Sequence, residues 1–343
     1  MIKGHGDDNY LFKVRLKANF SSNTWYRGTP GVLLSYLKKK IHSIQNYPEP
    51  DAHNLRKRIA MFHGLSSGQV FVSNGSVDAF YQIAQVFKGS KTAIFIPSFS
   101  EYEDACRMFG HMVDLLGFDE LNSTDLAVYQ TVWLGNPNNP NGVLTGYGLL
   151  TSLIQKNINT TFIIDEAYSD LAPGFETIIP ALQDYGNLIV CRSLTKTFAL
   201  PGLRLGYFIS SKEYAGEFER TLKPWAVNSL AIEAGNFIFE NFQELVPDLA
   251  ELTRLSQLLQ QGINKLDDFE VYPSPTCFFL VKMKTGNAGE LKQFLLHKHQ
   301  ILIRDASNFK SMPARFFRIS VQHEAENQLL VRGLADWQNK SRQ

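Results

Sequence analysis

An α/β fold, with a mostly parallel sheet covered by helices and closed by a smaller α+β unit, is the architecture predicted by this chain of 343 residues. Three observations carry it. Short runs of β-branched and aromatic residues recur along the chain, segments of helical period separate them, and after about Leu230 long helical repeats take over.

Taken in order, strands are predicted at Gln69 to Ser73, Thr92 to Ile96, Thr131 to Leu134, Thr161 to Ile164, Leu188 to Cys191 and Tyr207 to Ile209. After the first of them Val77, Phe80, Tyr81, Ala84 and Phe87 follow the spacing of a helix laid on a sheet. Strand then helix, repeated, gives a parallel sheet whose ligands sit beyond the carboxyl ends of the strands. Beyond Leu230, Leu249, Leu252, Leu255, Leu258 and Leu259 mark one face of a long helix. Strands at Thr276 to Met283 and Phe316 to Val321 then flank a helical stretch near Glu290 to His299, a second unit with a pocket between it and the first.

Composition narrows the function. Lys+Arg 34 against Asp+Glu 33 leaves a formal charge of +1 with no basic block, so neither nucleic acid nor an anionic membrane is an expected partner. A small-molecule substrate and copies of the same chain are. Cys106, Cys191 and Cys277 are far apart and never paired as CxxC, which fits a reducing, cytoplasmic setting. Met1 to Tyr10 is polar and no apolar run is long enough to span a bilayer, so a soluble, unprocessed protein is expected. The fingerprints GxGxxG, GxxxxGK[ST] and HExxH are absent, and His297 and His299 have no third ligand in view, so no metal site is expected.

The residues that follow the predicted strands are unusually polar. Lys196 sits in Arg192-Ser193-Leu194-Thr195-Lys196, with Arg204 eight residues on. Ser193, Thr195 and Arg204 supply hydroxyls and a forked cation for a phosphate, beside an amine able to form a Schiff base; an aldehyde cofactor with a phosphate handle needs both. Asp165, at the end of an apolar strand, is either a helix cap or a carboxylate beneath a pyridine nitrogen, where it keeps the ring protonated as an electron sink. Tyr168 is a donor for a ring hydroxyl, and Asn139 is either the same or ordinary turn chemistry. Asn74-Gly75-Ser76 opens a helix after a strand and is either a plain cap or a phosphate site. Phe99 stacks on an aromatic cofactor or fills the core, and Arg318 either captures a substrate carboxylate or forms a surface ion pair.

The ordered set Asn74-Gly75-Ser76, Pro97-x-Phe99, Asn136-Pro137-Asn138-Asn139-Pro140-Asn141-Gly142, Asp165-Glu166-Ala167-Tyr168, Ser193-x-Thr195-Lys196 and Gly202-Leu203-Arg204-x-Gly206-Tyr207 resembles the fold type I, class I/II pyridoxal-phosphate aminotransferase family over nearly the whole chain. The resemblance implies an aspartate aminotransferase-like fold with pyridoxal 5'-phosphate as cofactor. It implies an N-terminal arm (1–45), a cofactor-binding large domain (46–235) and a C-terminal small domain (236–343). Lys196 becomes the Schiff-base lysine and general acid/base, and Asp165 the partner of the pyridine nitrogen. Asn139 and Tyr168 contact the ring oxygen, Phe99 stacks on the ring, and Gly75, Ser76, Ser193, Thr195 and Arg204 hold the phosphate. Arg318 takes the substrate carboxylate, with Asn19, Arg304 and His5 around the rest of the substrate. Tyr47 matches a tyrosine that reaches the phosphate in the partner subunit, which implies a homodimer.

Two branches of the family compete. Thr195-Lys196, Leu200-Pro201-Gly202, Pro224-Trp225-Ala226-Val227-Asn228, Ile301-Leu302-Ile303-Arg304 and His5-Gly6 resemble the threonine-phosphate decarboxylases of cobalamin biosynthesis. Histidinol-phosphate aminotransferases share the scaffold and are the alternative, with an amino-acid or cofactor sensor as the non-enzymatic one. Loss of carbon dioxide or of the α-proton separates the two enzymes, and residue types alone do not select between them.

Overall fold

The structure, a computed structural model, describes residues 6–341. Its strands are β1 (Ala18–Asn19), β2 (Val70–Ser73), β3 (Lys91–Ile96), β4 (Met112–Gly117), β5 (Thr131–Gly135), β6 (Thr161–Asp165), β7 (Leu188–Ser193), β8 (Gly206–Ser210), β9 (Phe269–Tyr272), β10 (Phe278–Met283), β11 (Ile301–Leu302), β12 (Arg304–Asp305) and β13 (Phe316–Ser320). Seven of them form a large sheet in the order β2-β8-β7-β6-β5-β3-β4, and four form an antiparallel sheet in the order β12-β13-β10-β9. All six strands expected in the first part of the chain are present. β4 is an addition: it lies at the sheet edge and carries Asp114 among its apolar residues, so its sequence lacks the continuous apolar run of a strand buried on both faces.

In the large sheet only β8 runs against its neighbours. The chain leaves β7 and folds back through the short helix Leu194–Thr197 and the turn Pro201–Leu203, where Leu194 N–H donates to Leu205 O at 3.2 Å. That closed excursion returns the chain antiparallel and holds Lys196 at the sheet's carboxyl edge. Gly206 starts β8 hard against the Gly75–Ser76 backbone, where a Cβ would collide.

Alternation along the central strands buries both faces. Val72, Val132, Leu134, Ile164 and Val190 point to one core, shared with the helices His53–His63 and Ser229–Glu240. Phe71, Trp133, Ile163, Ile189 and Phe208 point to the other, under the helices Ser76–Val86 and Glu101–Met108. A further core surrounds β9, β10 and β13 and includes the helix Leu249–Asn264, together with Phe20 and Trp25 from the start of the chain and Tyr168 and Leu171 from the segment after β6. β1 joins this unit by pairing parallel with β11.

Gly64-Leu65-Ser66-Ser67-Gly68 has the spacing of a hydrolase nucleophile elbow, yet Ser66 precedes the turn Ser67–Gln69 that leads into β2 rather than following a strand. Among the described residues no helix is long and apolar enough to cross a membrane, and no group of three His, Cys, Asp or Glu is placed to hold a metal.

Candidate active site

The carboxyl ends of β5, β6 and β7 and the inner face of β13 open into one cleft of about 460 Å³. Asp165, Tyr168, Lys196, Phe99, Asn139 and Arg318 all line it. Residues far apart in the chain meet because parallel strands deliver their carboxyl ends to one edge.

Asp165 is the last residue of β6 and is buried. Its Oδ2 accepts from the Tyr102 hydroxyl at 2.5 Å and its Oδ1 from Ala167 N–H at 3.0 Å. Burial raises its pKa to about 6, against the pull of those donors and of Lys196. A carboxylate that prefers a counter-charge this strongly suits a protonated ring nitrogen.

Lys196 sits half-buried on the opposing turn. Loss of water, and then the positive charges of Arg318 and Arg204, lower its pKa to about 8, so near neutrality a useful fraction is free amine and nucleophilic. The Lys196 carbonyl accepts from Trp25 N–H at 2.9 Å, which fixes the turn against the N-terminal segment.

Across the cleft Gly75 has φ +84, and a Cβ there would strike the Arg204 guanidinium. Arg204 thus lies directly over the start of the helix Ser76–Val86, beside Ser76 and Thr195, which also line the cleft. Helix start, guanidinium and hydroxyls together make an anion cradle. Ser193 bonds Thr195 through their hydroxyls at 2.8 Å and does not itself reach the cleft wall.

Arg318, on β13, donates to Asn139 Oδ1 at 2.5 Å and to Ser21 O at 2.7 Å, while its Nε is buried without a partner. Arg304 stands opposite it in the β12·β13 register. Its guanidinium bonds Asn308 Oδ1 at 2.7 Å, packs over Phe309 and lines a small recess shared with Arg318, Asn139 and Phe99. Burial and the Arg318 charge bring the Arg304 pKa down to about 10.

Two further expected positions lie outside the cleft lining, and a third falls outside the described residues. Asn19 donates its amide to Asp7 Oδ1 (2.8 Å) and accepts from Ser21 on its Oδ1, so it holds two residues of the cleft wall without lining the cleft itself. Asn23, four residues on, is the asparagine that lines the cleft, beside Tyr168. Tyr47 is 84% exposed and outside the cleft of its own chain, with its ring 5.2 Å from that of Trp225. His5 lies outside the described residues. Besides Asn23, sequence reading passed over Tyr102, whose only signal is its place three residues past Phe99, and a buried ion network behind Lys196 formed by Arg192, Glu166 and Asp170.

A lysine, a buried aspartate and an anion cradle around one cleft are a set of groups able to take an aldehyde cofactor that carries a phosphate. The chain belongs to the aminotransferase class I and II family, whose model matches residues 15–334. It is an enzyme of that family, whose members depend on pyridoxal phosphate, and its fold is the expected fold type I arrangement. It is 28% identical to the threonine-phosphate decarboxylase of Salmonella typhimurium over 328 residues, 92% of this chain and 90% of that one. The histidinol-phosphate aminotransferase of a Thermoanaerobacter species is 30% identical over 321 residues, 87% of this chain and 86% of that one. The solved L-threonine-O-3-phosphate decarboxylase from Porphyromonas gingivalis superposes with a TM-score of 0.90 at 38% identity, covering 93% of this chain and 99% of that one.

Proposed function

We propose that this enzyme binds pyridoxal 5'-phosphate and decarboxylates an L-amino acid that carries a phosphate, of the L-threonine O-phosphate kind. The observation that carries the substrate class is the facing of Arg318 and Arg304 across neighbouring strands, both buried. Like charges directly opposite one another weaken a sheet, so the pair is suited to a ligand that brings two anions. An amino-acid phosphate has a carboxylate and a phosphate.

The residues present fit the cofactor: an amine, a buried carboxylate, a half-buried aromatic face at Phe99 and an anion cradle at Gly75, Ser76, Thr195 and Arg204 surround one cavity. When bound, the cofactor supplies an aldehyde that takes up an amine and a ring that withdraws electrons. Asp165 would hold a proton at the ring nitrogen, and Tyr168, whose phenol burial keeps protonated, would donate to the ring oxygen, as would Asn139. Arg318, fixed by Asn139 and Ser21, orients the substrate, and Lys196 Nζ receives or returns a proton. Exposure of Tyr47 and of Trp225, which is 50% exposed, supports a homodimer in which Tyr47 reaches the partner's cleft. The free, buried cysteines support a reducing cytoplasm, and the pairing of β1 with β11 supports an N-terminal arm joined to the small domain, with the large domain running from about 46 to 235.

Transamination of histidinol phosphate is the second reading, favoured by the 30% identical aminotransferase. The decisive experiment mixes cofactor-loaded protein with L-threonine O-phosphate and no keto acid, and measures carbon dioxide against a Lys196→Ala control. Sustained, lysine-dependent release is expected. No release, with turnover of histidinol phosphate and 2-oxoglutarate, would overturn the decarboxylase assignment in favour of the transaminase.

A further inference from the structure

Tyr102 lies in the first turn of the helix Glu101–Met108 and is 2% exposed, with its surface facing the cleft. Its ring is held by Phe80 and Phe99, both edge-on, and by Trp133 at 6.0 Å. So enclosed, the phenol is fixed on Asp165 Oδ2 at 2.5 Å. Burial and the Asp165 charge raise its pKa far above the usual phenol range, so the tyrosine is the donor and the aspartate the acceptor.

A core tyrosine needs some partner for its hydroxyl, and a backbone carbonyl would serve. This one instead spends its proton on the buried carboxylate at the centre of the cleft. A donor to an anion favours the ionised form and fixes its rotamer. The other groups acting on Asp165 do not replace it. Lys196 lies across the cleft, Glu166 adds like charge, Cys191 on β7 and Tyr168 are held neutral by burial, and Ala167 N–H occupies the other oxygen.

We propose that Tyr102 is a positioning residue that keeps Asp165 an anion and holds it in the orientation in which it serves the ring nitrogen of the cofactor. The proposal rests on the cofactor reading above. It makes Tyr102 a determinant of how strongly the bound ring draws electrons, although the phenol does not touch the reacting atoms.

The test is Tyr102→Phe, which removes one oxygen and keeps the ring packing. Equilibrium titration of apoprotein with pyridoxal 5'-phosphate should show affinity falling roughly ten- to hundredfold. The acidic limb of affinity against pH should move to higher pH, because a carboxylate that loses a donor holds its proton more tightly. Turnover should lose kcat with little change in KM. In an Asp165→Asn background the same substitution should cost almost nothing, the mark of a residue acting through Asp165. If Tyr102→Phe does not fold, 3-fluorotyrosine at position 102 keeps the shape with a more acidic phenol, and the limb should move to lower pH. Unchanged affinity and pH profile in Tyr102→Phe, an equal loss in the Asp165→Asn background, or an unmoved limb with fluorotyrosine would overturn the proposal while the cofactor reading stood. Failure of the wild type to bind the cofactor, with nothing trapped on Lys196 by borohydride, would remove both.

Discussion

Thr197 donates its hydroxyl to Asp170 Oδ2 at 3.1 Å, which ties the residue after Lys196 to a buried ion network. Arg192 donates to Asp170 Oδ1 at 2.7 Å and to Glu166 Oε2 at 3.0 Å, and Glu166 directly follows Asp165. Burial works against the Arg192 charge, but Asp170, Tyr207 and Glu166 outweigh it and push its pKa up. One guanidinium therefore braces both the strand end that carries the aspartate and the turn that carries the lysine.

Arg192→Met should destabilise the fold by about 3–5 kcal/mol, because it strands two carboxylates in the interior. Urea denaturation reads this directly. Adding Glu166→Gln to the variant should recover part of the loss, and a midpoint equal to that of the wild type would contradict the account.

Lys196 sets a pH dependence. Its folded pKa of about 8 lies below the unfolded value of 10.5, so between these the unfolded chain binds more protons and the apoprotein gains stability as pH rises. Lys196→Met should be more stable than the wild type at pH 7, with the gap closing through this window. Cofactor capture by the wild-type apoprotein should likewise accelerate with pH and level off above about 8. Stopped-flow absorbance checks the second outcome and denaturation at stepped pH the first.

Gly75→Ala combines a positive-φ, extended backbone (φ 84, ψ 164) that is open essentially only to glycine with a methyl group aimed at Arg204. The backbone strain costs roughly 1–3 kcal/mol. Displacing the guanidinium should weaken cofactor binding more than tenfold, and inorganic phosphate should compete less well with the cofactor in the variant. Equal affinities in wild type and variant would show that Arg204 does not hold the phosphate.

Arg318→Lys keeps the charge but loses the fork that spans Asn139 and Ser21. Its KM for an amino-acid phosphate should rise by about thirtyfold or more, from the 2 kcal/mol or greater cost of unpairing a buried charged contact. Cofactor affinity should hardly change. Steady-state kinetics beside a cofactor titration separates the two.

The strands that could be read in the sequence are those buried on both faces, where Val, Ile and Phe run together, as in β6 and β7. β4 could not, because an edge strand tolerates Asp114, and neither could β11 and β12, which at two residues each are too short for a period. At the site, Asp165 and Lys196 were visible because each stands by the carboxyl end of a strand legible in the sequence, Asp165 closing β6 and Lys196 three residues past β7. Asn19 and Asn23 were not separable by sequence, since it is the folded contacts of Asn19 with Asp7 and Ser21 that leave Asn23 as the one lining the cleft. Tyr102 was hidden for a similar reason: its meaning lies in Asp165, 63 positions away.

The parallel pairing of Ala18 with Ile301 also bears on how the polypeptide is made. A ribosome delivers β1 long before its neighbour β11, so Phe20 and Trp25, which finish in the core around β10 and β13, emerge well ahead of the residues that cover them. Contacts of such separation form late and slowly. Between those two events the nascent chain carries Phe20 and Trp25 without the strands that cover them, apolar surface that stays open to water until β10, β11 and β13 have been made.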